Sequence, residues 1–276
     1  MKKILLSFIF GILVWSSSAE KIKILTTFSP IYCFTKNVAG DWAEVSNLLP
    51  DNVGPHEYMM RPQDAKKIAT ADVIIFNGLG LEEFLDKAFQ INSKAMRIDA
   101  SSEIKMFNNN PHIWLDPLLA VEQVKNIAKG LKKADPAHAI YYQKNTENYI
   151  ARLKKLHENY VKILNPLNGK KMIAFHDAFL YLARRYGIKD LGVFETFPGK
   201  QPTPKYLAHI IDVIRKERIS VLFSERQYNP QLLKQIAADT GVKAAELDTM
   251  ETGLHATTFY EEVAANNLKT LKEAFR

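Results

Sequence analysis

The order in which apolar runs recur along this chain restricts its fold more than any other feature. From Glu20 onward, short β-branched or apolar runs alternate with segments of helical period, the pattern of an α/β protein with parallel sheets. The runs form two sets of four: 22–27, 45–49, 73–76 and 96–99, then 172–175, 191–194, 220–223 and 242–247. Ser29-Pro30, Thr203-Pro204 and Asn229-Pro230 each set a capping side chain before a proline at the first helical position, and Gly187 and Gly241 stand where helices should stop. Between the two sets, Tyr142, Tyr149, Leu153, Leu156, Tyr160 and Ile163 recur on one face of a helix. Continuous from Pro136 to Leu164, that helix would span roughly 43 Å at about 1.5 Å per residue. It would stiffen the connection as no Gly/Ser linker can. The expected architecture is therefore α/β: two (β/α)4-type domains with parallel four-stranded sheets, 20–134 and 165–276, joined by a long rigid backbone helix over 135–164.

The first residues set the compartment. Lys2 and Lys3 precede an apolar run from Ile4 to Trp15, then the small residues Ser16, Ser17, Ser18 and Ala19. That is a signal-peptide layout, with cleavage expected after Ala19 and a soluble periplasmic chain from Glu20. Cys33 is the single cysteine, so no internal disulfide can form, and no lipobox-like Leu-x-x-Cys precedes it. Without Lys2 and Lys3 the chain has 35 basic and 30 acidic residues, scattered rather than massed, a balance that points away from nucleic acid.

Function in open α/β sheets concentrates at loops after the carboxyl ends of strands. Four such loops hold residues of metal-ligand type: His56 in Gly54-Pro55-His56-Glu57-Tyr58, His112 in Pro111-His112-Ile113-Trp114-Leu115-Asp116-Pro117, His176 in Phe175-His176-Asp177-Ala178, and Asp248 in Leu247-Asp248-Thr249. If the two sheets turn their carboxyl edges to a shared cleft, three imidazoles and one carboxylate meet between the domains. A tetrahedral set of nitrogen and oxygen donors suits Zn2+, whereas magnesium and calcium prefer oxygen alone. Mn2+, Fe2+ and copper remain open on this argument. Glu57 and Glu225 are candidates to enter or support the coordination shell, Trp114 and Tyr58 to wall it from water. His138, His157, His209 and His255 are read as structural or exposed.

At these residues the sequence resembles the metal-ion substrate-binding proteins of ABC importers, the family that serves zinc and manganese uptake. Pro-His-x-Tyr continues into Arg61-Pro62-Gln63-Asp64, Ala71-Asp72-Val73, Asn77-Gly78 and Leu81-Glu82. Pro-His-Ile-Trp-Leu-Asp-Pro, His-Asp-Ala-Phe with Tyr181 and Tyr186-Gly187, and Phe223-Ser224-Glu225 follow in family order. The resemblance implies one ion in the cleft, held by His56, His112, His176 and Asp248, and delivery to a membrane permease driven by an ATPase. It also implies a monomer. Histidine at the third position is similar to the zinc-type members, manganese-type members commonly carrying glutamate there. Two departures stand out: the segment 101–110 lacks the His- and acid-rich loop of many zinc-type members, and Thr249 replaces the proline that often follows the fourth carboxylate.

Two other functions compete with this one. A zinc hydrolase needs an open coordination position and a general base, but His56-Glu57-Tyr58-Met59-Met60 lacks the second histidine of His-Glu-x-x-His and no nucleophile motif replaces it. The chain is therefore expected not to be an enzyme. A binder of metal chelates such as siderophore or haem fits the scaffold, but clustered histidines favour a bare ion.

Overall fold

A computed structural model describes residues 20–56, 58–194, 202–226 and 231–276. The proposed signal segment, Glu57 and the Asn229-Pro230 cap lie outside those residues. Among the described residues, eight strands form two separate sheets: β1 (Ile22–Thr26), β2 (Ala43–Asn47), β3 (Val73–Phe76) and β4 (Met96–Asp99) in the order β2-β1-β3-β4, and β5 (Lys171–Ala174), β6 (Lys189–Val193), β7 (Val221–Glu225) and β8 (Lys243–Leu247) in the order β6-β5-β7-β8. All pairings are parallel, as the alternation of strand and helix demands. The expected strands are all present, several displaced by one or two residues.

The helices of the first half are α1 (Ser29–Ala39), α2 (Pro62–Thr70), α3 (Leu85–Ile91) and α4 (Pro117–Ala134). The joining helix α5 covers Ala139–Leu164, and the second half adds α6 (Leu180–Arg185), α7 (Pro204–Glu217), α8 (Gln231–Thr240) and α9 (Phe259–Ala274). The long helix begins later than expected because Pro136–His138 forms a separate 3-10 turn. Its 26 residues reach about 39 Å. Tyr142, Tyr149, Leu153, Leu156, Tyr160 and Leu164 form its buried face, Leu164 taking the place expected for Ile163. The buried tyrosines are not left with idle hydroxyls: Tyr142 donates to Asp135 at 2.6 Å and Tyr160 to the carbonyl of Ala264 at 2.7 Å. Helix α9 returns to pack on both α5 and α1.

Three of the expected helix signals hold and one changes role. Thr203 caps α7 by accepting from Tyr206 N, and Gly187 and Gly241 follow α6 and α8 with φ of 71° and 73°, the left-handed conformation that ends a helix cheaply only at glycine. Ser29, expected as the cap of α1, lies inside the helix instead, and its Oγ donates to Gly253 O at 2.9 Å from the far half of the chain.

The main core runs from the first sheet through α1, α4, α5 and α9 to one face of the second sheet. Alternation along strands divides the remainder: Met172, Ala174, Val221 and Phe223 face that core, while Ile173 and Leu222 point to a smaller cluster with Phe194, Ile210, Ile214 and Leu233. No helix among the described residues is long and apolar enough to cross a membrane. Since Leu153 is fully buried at the middle of the joining helix, Leu153→Ala should cost about 2–5 kcal/mol in urea unfolding of metal-free protein.

Candidate metal centre

Each strand of interest delivers its loop to the same side. Beyond β2, Leu48 and Leu49 still donate to the carbonyls of Thr26 and Thr27 before the chain turns toward His56. Gly54 lets that loop close: a Cβ there would stand 3.2 Å from Oε2 of Glu251. Tyr58 and the main-chain N–H of Arg61 both donate to Asp64 Oδ2 at 2.6 Å, tying the far end of the loop to α2. After β4 the segment 100–111 leads to His112, with a tight turn at 107–110, and Phe175 alone separates β5 from His176.

His56, His112, His176 and Glu251 form one group, buried except for His56. Its Nε2 atoms lie 2.9 Å apart for His56 and His112 and 3.1 Å for His112 and His176. Glu251 Oε1 is 3.2 Å from Nε2 of His112 and 3.5 Å from those of His56 and His176. A tetrahedral ion with bonds of about 2.0–2.1 Å has donor-to-donor edges of roughly 3.3–3.4 Å, so these separations are those of a coordination shell. Glu251 Oε1 is buried with no hydrogen-bond partner among the described residues, which a carboxylate does not sustain without a compensating charge. His56 is the ligand that solvent reaches, its side chain 21% exposed. A cavity of about 710 Å³ lined by Tyr58, Met60, Leu81 and Phe84 opens beside it.

The imidazoles are held by different groups. His112 Nδ1 lies 2.8 Å from Asn110 Oδ1, and the ring is tilted by 56° against the buried Trp114, centroids 5.1 Å apart. His176 Nδ1 lies 2.7 Å from the Glu225 carboxylate, which also accepts from the His176 main-chain N–H at 3.0 Å. Burial penalises the charged ring of His112 and drives its pKa down to about 4. The same burial acts on His176, but the Glu225 carboxylate hydrogen-bonded to its Nδ1 and the nearby Glu251 carboxylate outweigh it, and the pKa is pushed up to about 10. Burial also opposes ionisation of Glu251, yet the three ring nitrogens 3.2–3.5 Å from its Oε1 hold its carboxyl well below the ordinary range. In the metal-free centre a proton on His176 thus takes part of the role a cation would play.

The structure gathers the three expected histidines but not Asp248. Its Oδ1 accepts from Met250 N at 2.7 Å, and its Oδ2 is 4.0 Å from Arg226. This is a turn-forming role: Asp248 braces a bend in which Met250 takes a φ of 62°, and the bend carries Glu251 into the cleft. The acid that completes the group, Glu251, is three residues beyond the one expected. A second acid so soon after a strand end was the available signal. Glu225 supports a ligand rather than joining the donor group. Asp116 caps α4 through Leu118 N and pairs with Arg185. His138, His157 and His255 bond to Asp135, Tyr186 and Asn47, and His209 is exposed.

Comparison with known proteins gives a consistent picture. A family model described as "Zinc-uptake complex component A periplasmic" matches residues 24–274. The high-affinity zinc uptake system protein ZnuA of Bacillus subtilis is 29% identical over 94% of this chain and 89% of that protein. The iron-binding protein YfeA of Yersinia pestis is 32% identical over 83% of this chain and 77% of that protein. Among solved structures, the substrate-binding protein FpvC of Pseudomonas aeruginosa in complex with Mn2+ superimposes with a TM-score of 0.87 at 32% identity, covering 93% of this chain and 98% of that one.

Paired substitutions test the donor assignment. Glu251→Ala should weaken zinc binding at least ~100-fold, the loss of about 3 kcal/mol expected when one partner of a buried charged set is removed, while Asp248→Ala should change it less than about threefold. Calorimetric competition against a chelator reads both.

Proposed function

Because the chain belongs to the family of periplasmic zinc-uptake components, we propose that it captures a divalent transition metal outside the cytoplasm, zinc before manganese or iron(II), and delivers it to an ABC-type importer. The observation that carries this is the buried group of three Nε2 atoms and one carboxylate oxygen at tetrahedral-edge separations. Three imidazoles and one carboxylate suit zinc, and an oxygen-poor set disfavours the harder manganese ion. Four protein donors around one ion leave no position for water, which supports a carrier over a hydrolase. On this reading residues 1–19 direct export and are removed, and the domains 20–134 and 165–276 act as one monomeric unit about the 135–164 connection. The partners are the ion, a membrane permease and its ATPase.

The decisive experiment is competition titration of metal-stripped protein with zinc, manganese and iron(II). One zinc per chain, bound more tightly than either competitor, is expected; a preference for manganese overturns the zinc assignment. Delivery is read separately as zinc accumulation in vesicles carrying the importer, dependent on both the loaded protein and ATP.

Affinity should fall with pH in a defined way. A proton bound below about pH 10 sits on His176 and must leave when Nε2 takes the ion, so between pH 8 and 6 the apparent Kd should rise at least about tenfold per unit of acidification. His112 contributes a further proton only near pH 4. A Kd that stays flat over that window shows that no proton leaves His176 on binding and removes that ring from the donor set.

A further inference from the structure

Asn110 lies in the turn ahead of His112 and makes contacts that no ligand role explains. Phe107 and Asn110 form an antiparallel bridge across Asn108 and Asn109, whose φ angles of 52° and 54° give the tight two-residue turn that asparagine tolerates. Tyr181 of α6 fixes this turn from the other half of the chain, accepting from Phe107 N at 2.9 Å and donating to Asn110 O at 2.7 Å. The Asn110 side chain is buried at the seam. Its Oδ1 accepts from His112 N at 2.9 Å and faces His112 Nδ1 at 2.8 Å, and its Nδ2 donates to the carbonyl of Asp177, the residue after His176.

The neighbours dictate which way the amide points. The main-chain N–H of His112 can only donate, so the atom facing it is Oδ1; the carbonyl of Asp177 can only accept, so the atom facing it is Nδ2. With Oδ1 against the ring, Nδ1 of a neutral His112 must carry the hydrogen. Nε2 then presents its lone pair to the other three donors. No other side chain of this length does both tasks, since aspartate lacks the donor and leucine lacks everything.

We propose that Asn110 is a positioning residue that fixes His112 in its Nδ1–H form and ties that ligand to the His176 segment, setting the two halves of the metal centre in register through one amide. The proposal rests on the zinc-binding reading for its effect on affinity, but not for the tautomer. Asn110 touches no ion and acts through His112 and Asp177.

Two measurements test it. In metal-free wild-type protein, nitrogen-15 imidazole spectra should show His112 protonated on Nδ1, and Asn110→Leu should mix the two tautomers; an Nε2–H form in the wild type overturns the proposal. In zinc competition, Asn110→Leu should bind ~10–100-fold more weakly, the usual cost of losing a group that orients a metal-bound histidine. Asn110→Asp, which keeps an acceptor against the ring, should recover at least half of that loss on a logarithmic scale. Affinity of Asn110→Leu within about threefold of wild type, or Asn110→Asp as weak as Asn110→Leu, overturns it. If Asn110→Leu does not fold, Asn110→Asp and the wild-type tautomer still decide. Wild-type protein that takes up no zinc defeats the proposed function, whereas the tautomer in metal-free protein still judges this inference.

Discussion

Three imidazole nitrogens and a carboxylate oxygen forced to within 3.5 Å of their neighbours, nearly out of reach of water, is the constraint around which the molecule is arranged. Lone pairs that close repel one another, and burial removes the water that would otherwise screen them. Something positive must sit among them. In metal-free protein a proton on His176 serves, held there far above the ordinary range by the Glu225 and Glu251 carboxylates, while burial drives His112, a few ångströms away, far below it. The gathering is unfavourable in itself, and the core and the hydrogen bonds across the seam must offset it.

Those hydrogen bonds come from both halves of the chain. Trp114 donates through Nε1 to Thr249 O, Tyr260 donates to Trp114 O, and Gly253 N donates to Asp51 O. Ser29 reaches Gly253, and Tyr181 holds the turn before His112. Together with α5 and α9 packed behind, they leave little freedom for one sheet to swing against the other. Within the group of four, His56 is the member nearest solvent.

Much of this was legible in the sequence. The alternation of strand and helix fixes parallel sheets, and parallel sheets place strand-end loops on one edge, so each histidine that directly follows or closely trails a strand points to the cleft. The carboxylate was harder. Asp248 stands at the strand end and looked like a ligand by position, but whether a side chain three residues later reaches the same point depends on a bend at Met250 with positive φ, which a non-glycine residue does not advertise. Ser29 misled for a related reason: a serine before proline has the local chemistry of a cap, and only the arrival of Gly253 from more than two hundred residues away gives its hydroxyl another acceptor. Local propensity sees local partners only.

The groups behind the ligands bear on the charge of the cargo. His176 is backed by the carboxylate of Glu225, His112 by the neutral amide of Asn110, and Glu251 enters the donor set itself. Glu225 and Glu251, both ionised with the imidazoles neutral, contribute two negative charges, which a divalent ion balances. A monovalent ion would leave a buried negative charge and a trivalent ion a buried positive one, each carrying the desolvation cost of an uncompensated ion. The amide of Asn110 behind His112 is neutral and leaves that count unchanged. Selection by charge comes from the count of buried carboxylates, and selection among divalent ions from the three imidazoles.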